Sequence, residues 1–234
     1  MMSATTYDER RGRLETYFDA TAMEAWARLT SDAPVSRIRQ TVREGRDSMR
    51  DVLLSWLPLD MAHTALLDAG CGTGALSVVA ARRGAKVTAV DIAGNLVNVA
   101  RERAPADLAP GAIDFQVGDM LSPSHGAFDH VVAMDSLIHY PTREIIKVLT
   151  GLASRTGKSI VFTFAPRTPA LTVLHGVGLL FPRANRAPAI EPVTETSLRR
   201  AIAAAPGLSA WRVGRTVRIS SGFYKSQAME LVRR

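Results

Sequence analysis

The chain has almost no cysteine: Cys71 is the single one in 234 residues, so no internal disulfide can form and a reducing compartment is expected. No uninterrupted apolar run reaches the roughly 18–20 residues of a membrane-spanning helix. Met1 to Arg13 is polar and charged and lacks the apolar core of a signal peptide. These absences point to a cytoplasmic protein. Lysine and arginine form no dense run interleaved with aromatics, which argues against a nucleic acid partner. His63, His125, His130 and His175 show no metal-ligand spacing and no supporting carboxylate pairs, so no protein-bound metal is expected. Internal repeats and low-complexity tails are missing as well.

What is present is ordinary globular composition, 47% hydrophobic and 22% charged, enough for one sizeable α/β domain with a small cap. The net charge is +7 and the isoelectric point about 10.2. An acidic small substrate, an anionic membrane surface and an arginine-rich proteome each account for this balance.

The chain is organised around Ala65-Leu66-Leu67-Asp68-Ala69-Gly70-Cys71-Gly72-Thr73-Gly74-Ala75-Leu76. An apolar run ends in an acid, glycines follow at alternate positions, and a helical pattern begins. This reads as a strand, a tight turn and a helix N-terminus, whose exposed N–H groups suit an anionic or nucleotide-like ligand. Residues 1–62 read as a helical cap, with helices over Arg11–Trp26 and Ser36–Leu57. The polar face of the second carries Arg37, Arg39, Arg43, Arg46 and Arg50, either a solvated face or a cationic rim beside an acidic substrate. From 63 to 234 strand and helix alternate, the signature of a parallel, doubly wound sheet. Strands are expected over Thr64–Ala69, Lys86–Val90, Ile113–Val117, Phe128–Met134 and Ser159–Phe164, and a closing antiparallel hairpin over Leu208–Val232. The proline-marked stretch at about 166–192 interrupts the alternation and reads as a lid insertion around the apolar run Leu171–Phe181.

Ligands of such sheets bind at the carboxyl ends of the strands. Asp91 ends the second strand, 91 − 68 = 23 residues after Asp68, a spacing that suits an acid accepting both hydroxyls of a ribose. Asp119 follows Gly118 after the third strand and can accept from an adenine amine, with Ile92 and Met120 on either side of the base. Met134 and Asp135 would lie near the reactive centre. Asp68 suits a cationic amino group better than a pyrophosphate, which favours S-adenosylmethionine over a dinucleotide. Cys71 reads as a small residue of the turn.

This pattern resembles the class I S-adenosylmethionine-dependent methyltransferases over roughly residues 60–234. The resemblance implies a Rossmann-like, mostly parallel seven-stranded sheet and cofactor contacts at Asp68, Gly70, Cys71, Gly72, Asp91, Ile92, Gly118, Asp119, Met120 and Met134. A narrower resemblance rests on Asp135-Ser136-Leu137-Ile138-His139-Tyr140-Pro141, Phe162-Thr163-Phe164-Ala165-Pro166-Arg167-Thr168, Leu180-Phe181-Pro182, Tyr17-Phe18 and Trp26-Ala27-Arg28. These tracts look like the magnesium-protoporphyrin IX O-methyltransferases of chlorophyll and bacteriochlorophyll synthesis. Plant and cyanobacterial members tend to carry a tyrosine just after the last tract, where this chain has Thr30, so no role of that tyrosine carries over.

The resemblance implies methyl transfer to a propionate of magnesium-protoporphyrin IX, with magnesium arriving inside the substrate. Such a carboxyl group has a pKa near ~4.5, close to the glutamate value, and is a nucleophile without a base. Alignment and desolvation are what it needs. His139 is the expected acceptor-orienting residue, with Tyr17 as a weaker candidate. Tyr140, Arg167, His175, Phe181 and Arg183 are expected around the flat, apolar, doubly anionic substrate. The resemblance also allows docking to the large subunit of magnesium chelatase, and the apolar lid allows a peripheral contact with the inner photosynthetic membrane. A methyltransferase for another small acid or a quinone-type acceptor, and a porphyrin-binding carrier, are the alternatives.

Overall fold

The computed structural model describes residues 7–20 (side chains to 18), 30, 34–167 and 190–234. Among them are six helices: α1 Tyr7–Ala20, α2 Arg37–Ser55, α3 Ala75–Arg82, α4 Gly94–Arg103, α5 Thr142–Ala153 and α6 Glu195–Ala204. The seven strands are β1 Ala65–Ala69, β2 Lys86–Asp91, β3 Ala112–Val117, β4 Phe128–Ala133, β5 Thr156–Phe164, β6 Trp211–Ser221 and β7 Tyr224–Arg233. The first helix begins four residues before the expected Arg11, and the Arg167–Val193 pairing closes the described edge of the insertion.

The sheet order is β3-β2-β1-β4-β5-β7-β6. β1 to β5 run parallel, and β7 pairs antiparallel with both β5 and β6. The chain reverses its winding between β1 and β4, and there the carboxyl ends of the strands leave a crevice. The strands of the middle of the sheet are covered on both faces and therefore read as apolar runs rather than strict alternations. Leu66, Val132 and Val161 pack with Met49, Leu53, Leu76 and Ala80 from α2 and α3. Their neighbours Leu67, Val131 and Ile160 pack on the other face with Ile145, Leu149, Leu152 and Leu198 from α5 and α6.

Helix ends follow local chemistry. Ser36 caps α2 by accepting from the Arg39 N–H at 3.4 Å, and Thr194 caps α6 through the Ser197 N–H at 3.3 Å. α2 lies against the β6–β7 hairpin so closely that Gly45 has no room for a side chain: a Cβ there would be 2.6 Å from Cδ1 of the buried Tyr224. Gly45→Ala should therefore destabilise the protein by roughly 1–3 kcal/mol through overpacking, read as a lower urea midpoint at unchanged slope.

At the amino end of β4, His130 is buried and its Nδ1 lies 2.7 Å from the Ser159 hydroxyl, while Nε2 has no partner among the described residues. Burial, with the Lys158 charge nearby, pushes its pKa below the usual value. The unfolded chain, with a pKa near ~6.5, then binds more protons than the native state, so stability rises with pH in this window. Stability should fall as pH is lowered below about 6.5, and His130→Gln should flatten that part of a denaturation-against-pH profile.

Candidate active site

The glycine turn after β1 is built by backbone geometry. Gly70 has φ +88°, and a Cβ on it would sit 2.5 Å from the Cβ of Ser136, which follows β4. Only glycine combines that conformation with that approach. The turn is held from β2: Gly70 and Cys71 donate their N–H groups to the Val90 carbonyl, at 2.8 and 3.0 Å. Asp91 accepts from the Gly72 N–H at 2.8 Å and the Ala93 N–H at 2.9 Å, through different carboxylate oxygens.

Around the turn opens a cavity of about 340 Å³. Asp68, Gly70, Cys71, Gly72, Asp91, Ile92, Gly118, Met120, Met134, His139 and Tyr140 all contribute to its wall. The sequence-based cofactor set thus converges on one cavity with the exception of Asp119, which is not part of the wall. Asp119 is engaged by α1: Tyr7 donates its hydroxyl at 2.7 Å and Arg11 a guanidinium N–H at 2.5 Å, while the Leu121 N–H adds a bond at 2.8 Å. Burial pushes this carboxyl up, but those three donors hold it below the usual carboxylate range. The Met120–Ser122 loop is clamped by Arg155, which donates to the Met120 and Ser122 carbonyls. Burial raises the Cys71 thiol pKa well above normal, so this is an inert small residue of the turn.

In the same cavity wall, His139 closes the short helical turn Leu137–His139 after β4. Its carbonyl accepts from Arg10 at 2.9 Å, and its ring meets that of Phe18 edge-on at 6.1 Å. Arg10 is also paired with Glu191 at 2.9 Å, which ties α1 to the chain returning from the insertion. Tyr140 is buried and stacks on Tyr7 at 5.5 Å; burial drives both phenols far above their usual pKa. Tyr17 packs edge-on against Phe18 at 5.2 Å, and it is Phe18, not Tyr17, that lines the cavity. Arg167 is exposed and is not part of the wall. His175, Phe181 and Arg183 lie outside the described residues.

Among the contributors not singled out as site residues by the sequence reading are Arg43, Arg46 and Arg50 of α2, which line the cavity together with Asp47. Their i, i+3, i+7 spacing puts them on one helix stripe, and it is the only sequence signal they carry. Arg37 and Arg39 of the same polar face are exposed. The choice between solvated face and cationic rim is therefore split along one helix. Among the described residues no group of three or more His, Cys, Asp or Glu gathers as for a metal, and no helix is long and apolar enough to cross a membrane.

A glycine turn at a topological switch point, acids at two neighbouring strand ends and a closing antiparallel hairpin together define a class I S-adenosylmethionine-dependent methyltransferase. Comparison with known proteins narrows this. A family described as "Magnesium-protoporphyrin IX methyltransferase C-terminus" matches residues 133–233, and one described as "Methyltransferase domain" matches residues 66–157. The magnesium-protoporphyrin O-methyltransferase of Rhodobacter capsulatus is 50% identical over 96% of this chain and 97% of its own length. The Synechocystis enzyme is 34% identical over 93% and 94%. The crystal structure of the Synechocystis magnesium protoporphyrin IX methyltransferase with bound SAH superposes with a TM-score of 0.82, at 32% identity over 96% of this chain and all of that one. The chain belongs to the magnesium-protoporphyrin IX O-methyltransferase family.

The residues present fit a cofactor with a cationic tail. Asp68 is 1% exposed and accepts from the Ser77 hydroxyl at 2.6 Å. Burial, with the Asp91 charge adding to it, pushes its carboxyl up to about 6 against the Ser77 bond. A cationic ligand favours the ionised form and should bind best above that value. Affinity for S-adenosylmethionine, measured by calorimetry, should drop as pH falls through about 6, and Asp68→Asn should abolish the pH dependence. Gly70→Ala should weaken cofactor affinity by tenfold or more, since left-handed backbone costs an alanine about 1–2 kcal/mol before the Ser136 clash is added.

Proposed function

We propose that the chain transfers a methyl group from S-adenosylmethionine to one propionate carboxylate of magnesium-protoporphyrin IX, giving the monomethyl ester in chlorophyll or bacteriochlorophyll synthesis. The observation that carries this reading is a single cavity lined by the glycine turn, Asp91, His139 and the arginines of α2.

In this reading Asp91 takes the ribose hydroxyls, Ile92 and Met120 flank the adenine, and Asp68 faces the methionyl ammonium. Arg50, paired with Asp47 at 2.9 Å, and Arg43 meet the methionyl carboxylate. Gly118 leaves room for the base, and Asp119, held by Tyr7 and Arg11, turns α1 into the cover of the adenosine end. When bound, S-adenosylmethionine supplies an electrophilic methyl carbon: a carboxylate oxygen forms the new O–C bond, the C–S electron pair returns to sulfur, and no proton moves. A cation and an anion merge into neutral products, so removing water favours the transfer. Tyr7, Phe18 and Tyr140 do that here. His139 donates a hydrogen bond that orients the acceptor carboxylate; it has no proton to remove. The described part of the cap over residues 1–62 contributes to the substrate site in this reading; His175, Phe181 and Arg183 lie outside the described residues. The work is cytoplasmic, with the chelatase large subunit or a membrane surface as the source of the porphyrin.

Incubation with S-adenosylmethionine and magnesium-protoporphyrin IX should give the monomethyl ester on chromatography; porphyrin bound but never esterified would overturn the enzyme reading in favour of a carrier. His139→Ala should lower kcat by about 10²-fold, the order expected for a misplaced acceptor. Turnover within a few-fold of the parent would assign His139 a purely structural role.

A further inference from the structure

The crossover from β3 to β4 differs from its neighbours. The β1–β2, β2–β3 and β4–β5 crossovers carry the α-helices α3, α4 and α5, which bond their own backbone. Residues 118–127 hold only the three-residue turn Pro123–His125, so their carbonyls need other donors. The Asp119 carbonyl is served from within, by the Ser122 N–H at 2.9 Å and by His125, whose Nε2 lies 2.8 Å away. The Met120 and Ser122 carbonyls are served from outside: Arg155 donates Nη2 to the first and Nη1 to the second. Beyond this, the Ser122 carbonyl has a long bond from the His125 N–H at 3.4 Å. Arg155 stands on the junction of α5 and β5. Its own carbonyl accepts from the Phe128 N–H at 2.9 Å, and its guanidinium lies 5.8 Å from the centre of the Phe128 ring. Its Nε is buried with no partner among the described residues, a cost that the two bonds to the crossover help to offset. Met120 contributes to the cavity wall; Arg155 does not.

We propose that Arg155 is a positioning residue for the base of the cofactor: it fixes the helix-free crossover so that Met120 stands ready against the adenine. The inference rests on the placement of the base beside Met120 in the functional reading above. The planar fork of a guanidinium holds two carbonyls at one separation. Here those carbonyls belong to residues on either side of Leu121, so the fork sets the backbone there and with it the direction of Met120. A crossover without that hold would visit other arrangements. Apparent affinity then falls in proportion to the time spent in the competent one. The base lies away from the transferred methyl group, so the transfer itself, once the cofactor is bound, does not depend on Arg155.

The test compares the parent with Arg155→Gln, Arg155→Lys, Met120→Ala and the double variant Arg155→Gln/Met120→Ala. Each is titrated with S-adenosylhomocysteine by calorimetry and assayed for kcat and for the KM of magnesium-protoporphyrin IX. Arg155→Gln should bind S-adenosylhomocysteine about tenfold more weakly, as for a crossover in place about a tenth of the time. Its kcat at saturating S-adenosylmethionine and its KM for the porphyrin should stay within about twofold of the parent. Arg155→Lys should recover part of the affinity, since an ammonium keeps the charge but not the fork. Met120→Ala should weaken binding as well, and in that background the Arg155→Gln loss should shrink to about twofold or less, because the two act on one contact. Unchanged affinity in Arg155→Gln would overturn the proposal, as would losses that add in full in the double variant. A lower kcat at unchanged affinity, the mark of a general loss of fold, would overturn it too. Should Arg155→Gln fail to fold, Arg155→Lys decides: weaker binding supports the proposal and parent-like affinity overturns it. Parent-like affinity in Met120→Ala would refute the placement of the base itself, whereas a failure of Arg155 alone leaves the Met120→Ala loss in place.

Discussion

The carboxyl ends of β1 and β4 come together with no space between them for a side chain, and the site is built outward from that approach. A Cβ on Gly70 would lie 2.5 Å from the Cβ of Ser136, so this position of the turn after β1 is confined to glycine. β2 then locks the turn through Val90 and Asp91. β4 leaves the sheet in left-handed backbone at Asp135, which aims the following residues, Ser136 to Tyr140, at the same cavity. One close contact thus joins the glycine turn after β1 to the segment after β4, and it arises where the winding of the sheet reverses.

The cavity is neither acidic nor basic but ordered by sign. Asp91 ends β2 in the cavity wall, and Asp119 follows β3. Arg43, Arg46 and Arg50 of α2 line the same cavity, and three carboxylates are paired with arginines. Arg46 meets Asp135 at 2.6 Å, Arg50 meets Asp47 at 2.9 Å and Arg11 meets Asp119 at 2.5 Å. Such pairing suits a reaction that joins a cation to an anion. Charge is needed to place both reactants, and an unshared charge would hold one of them too firmly.

Much of the fold was legible in the chain because strand–helix alternation and turn chemistry are local. Five strand ends, the closing hairpin and the helix Arg37–Ser55 sit within a few residues of their expected limits. The first helix was displaced, since its boundary is set by contacts of Tyr7, Arg10 and Arg11 with Asp119, His139 and Glu191, partners more than a hundred residues away. The Gly70–Gly74 turn, Asp68, Asp91 and Asp119 were readable for the same reason that the fold was: the chemistry of a strand end is written in the residue that occupies it. Arg43, Arg46 and Arg50 were not, because a stripe of arginines on a helix looks alike whether it faces water or a cavity.

The sequence alone determined the order of elements, the glycine turn and the acids at the strand ends, all of which depend on residues near in the chain. It also determined the family, through tracts that run almost its whole length. The tertiary structure decided which side chains share a cavity. It put Phe18 rather than Tyr17 in the wall, left Arg167 in solvent, brought α1 onto Asp119, and split the arginines of α2 between solvent and site. These outcomes depend on the crossing of α1 and α2 over the sheet, and that crossing is settled by packing such as Gly45 against Tyr224, a contact between residues 179 positions apart (224 − 45).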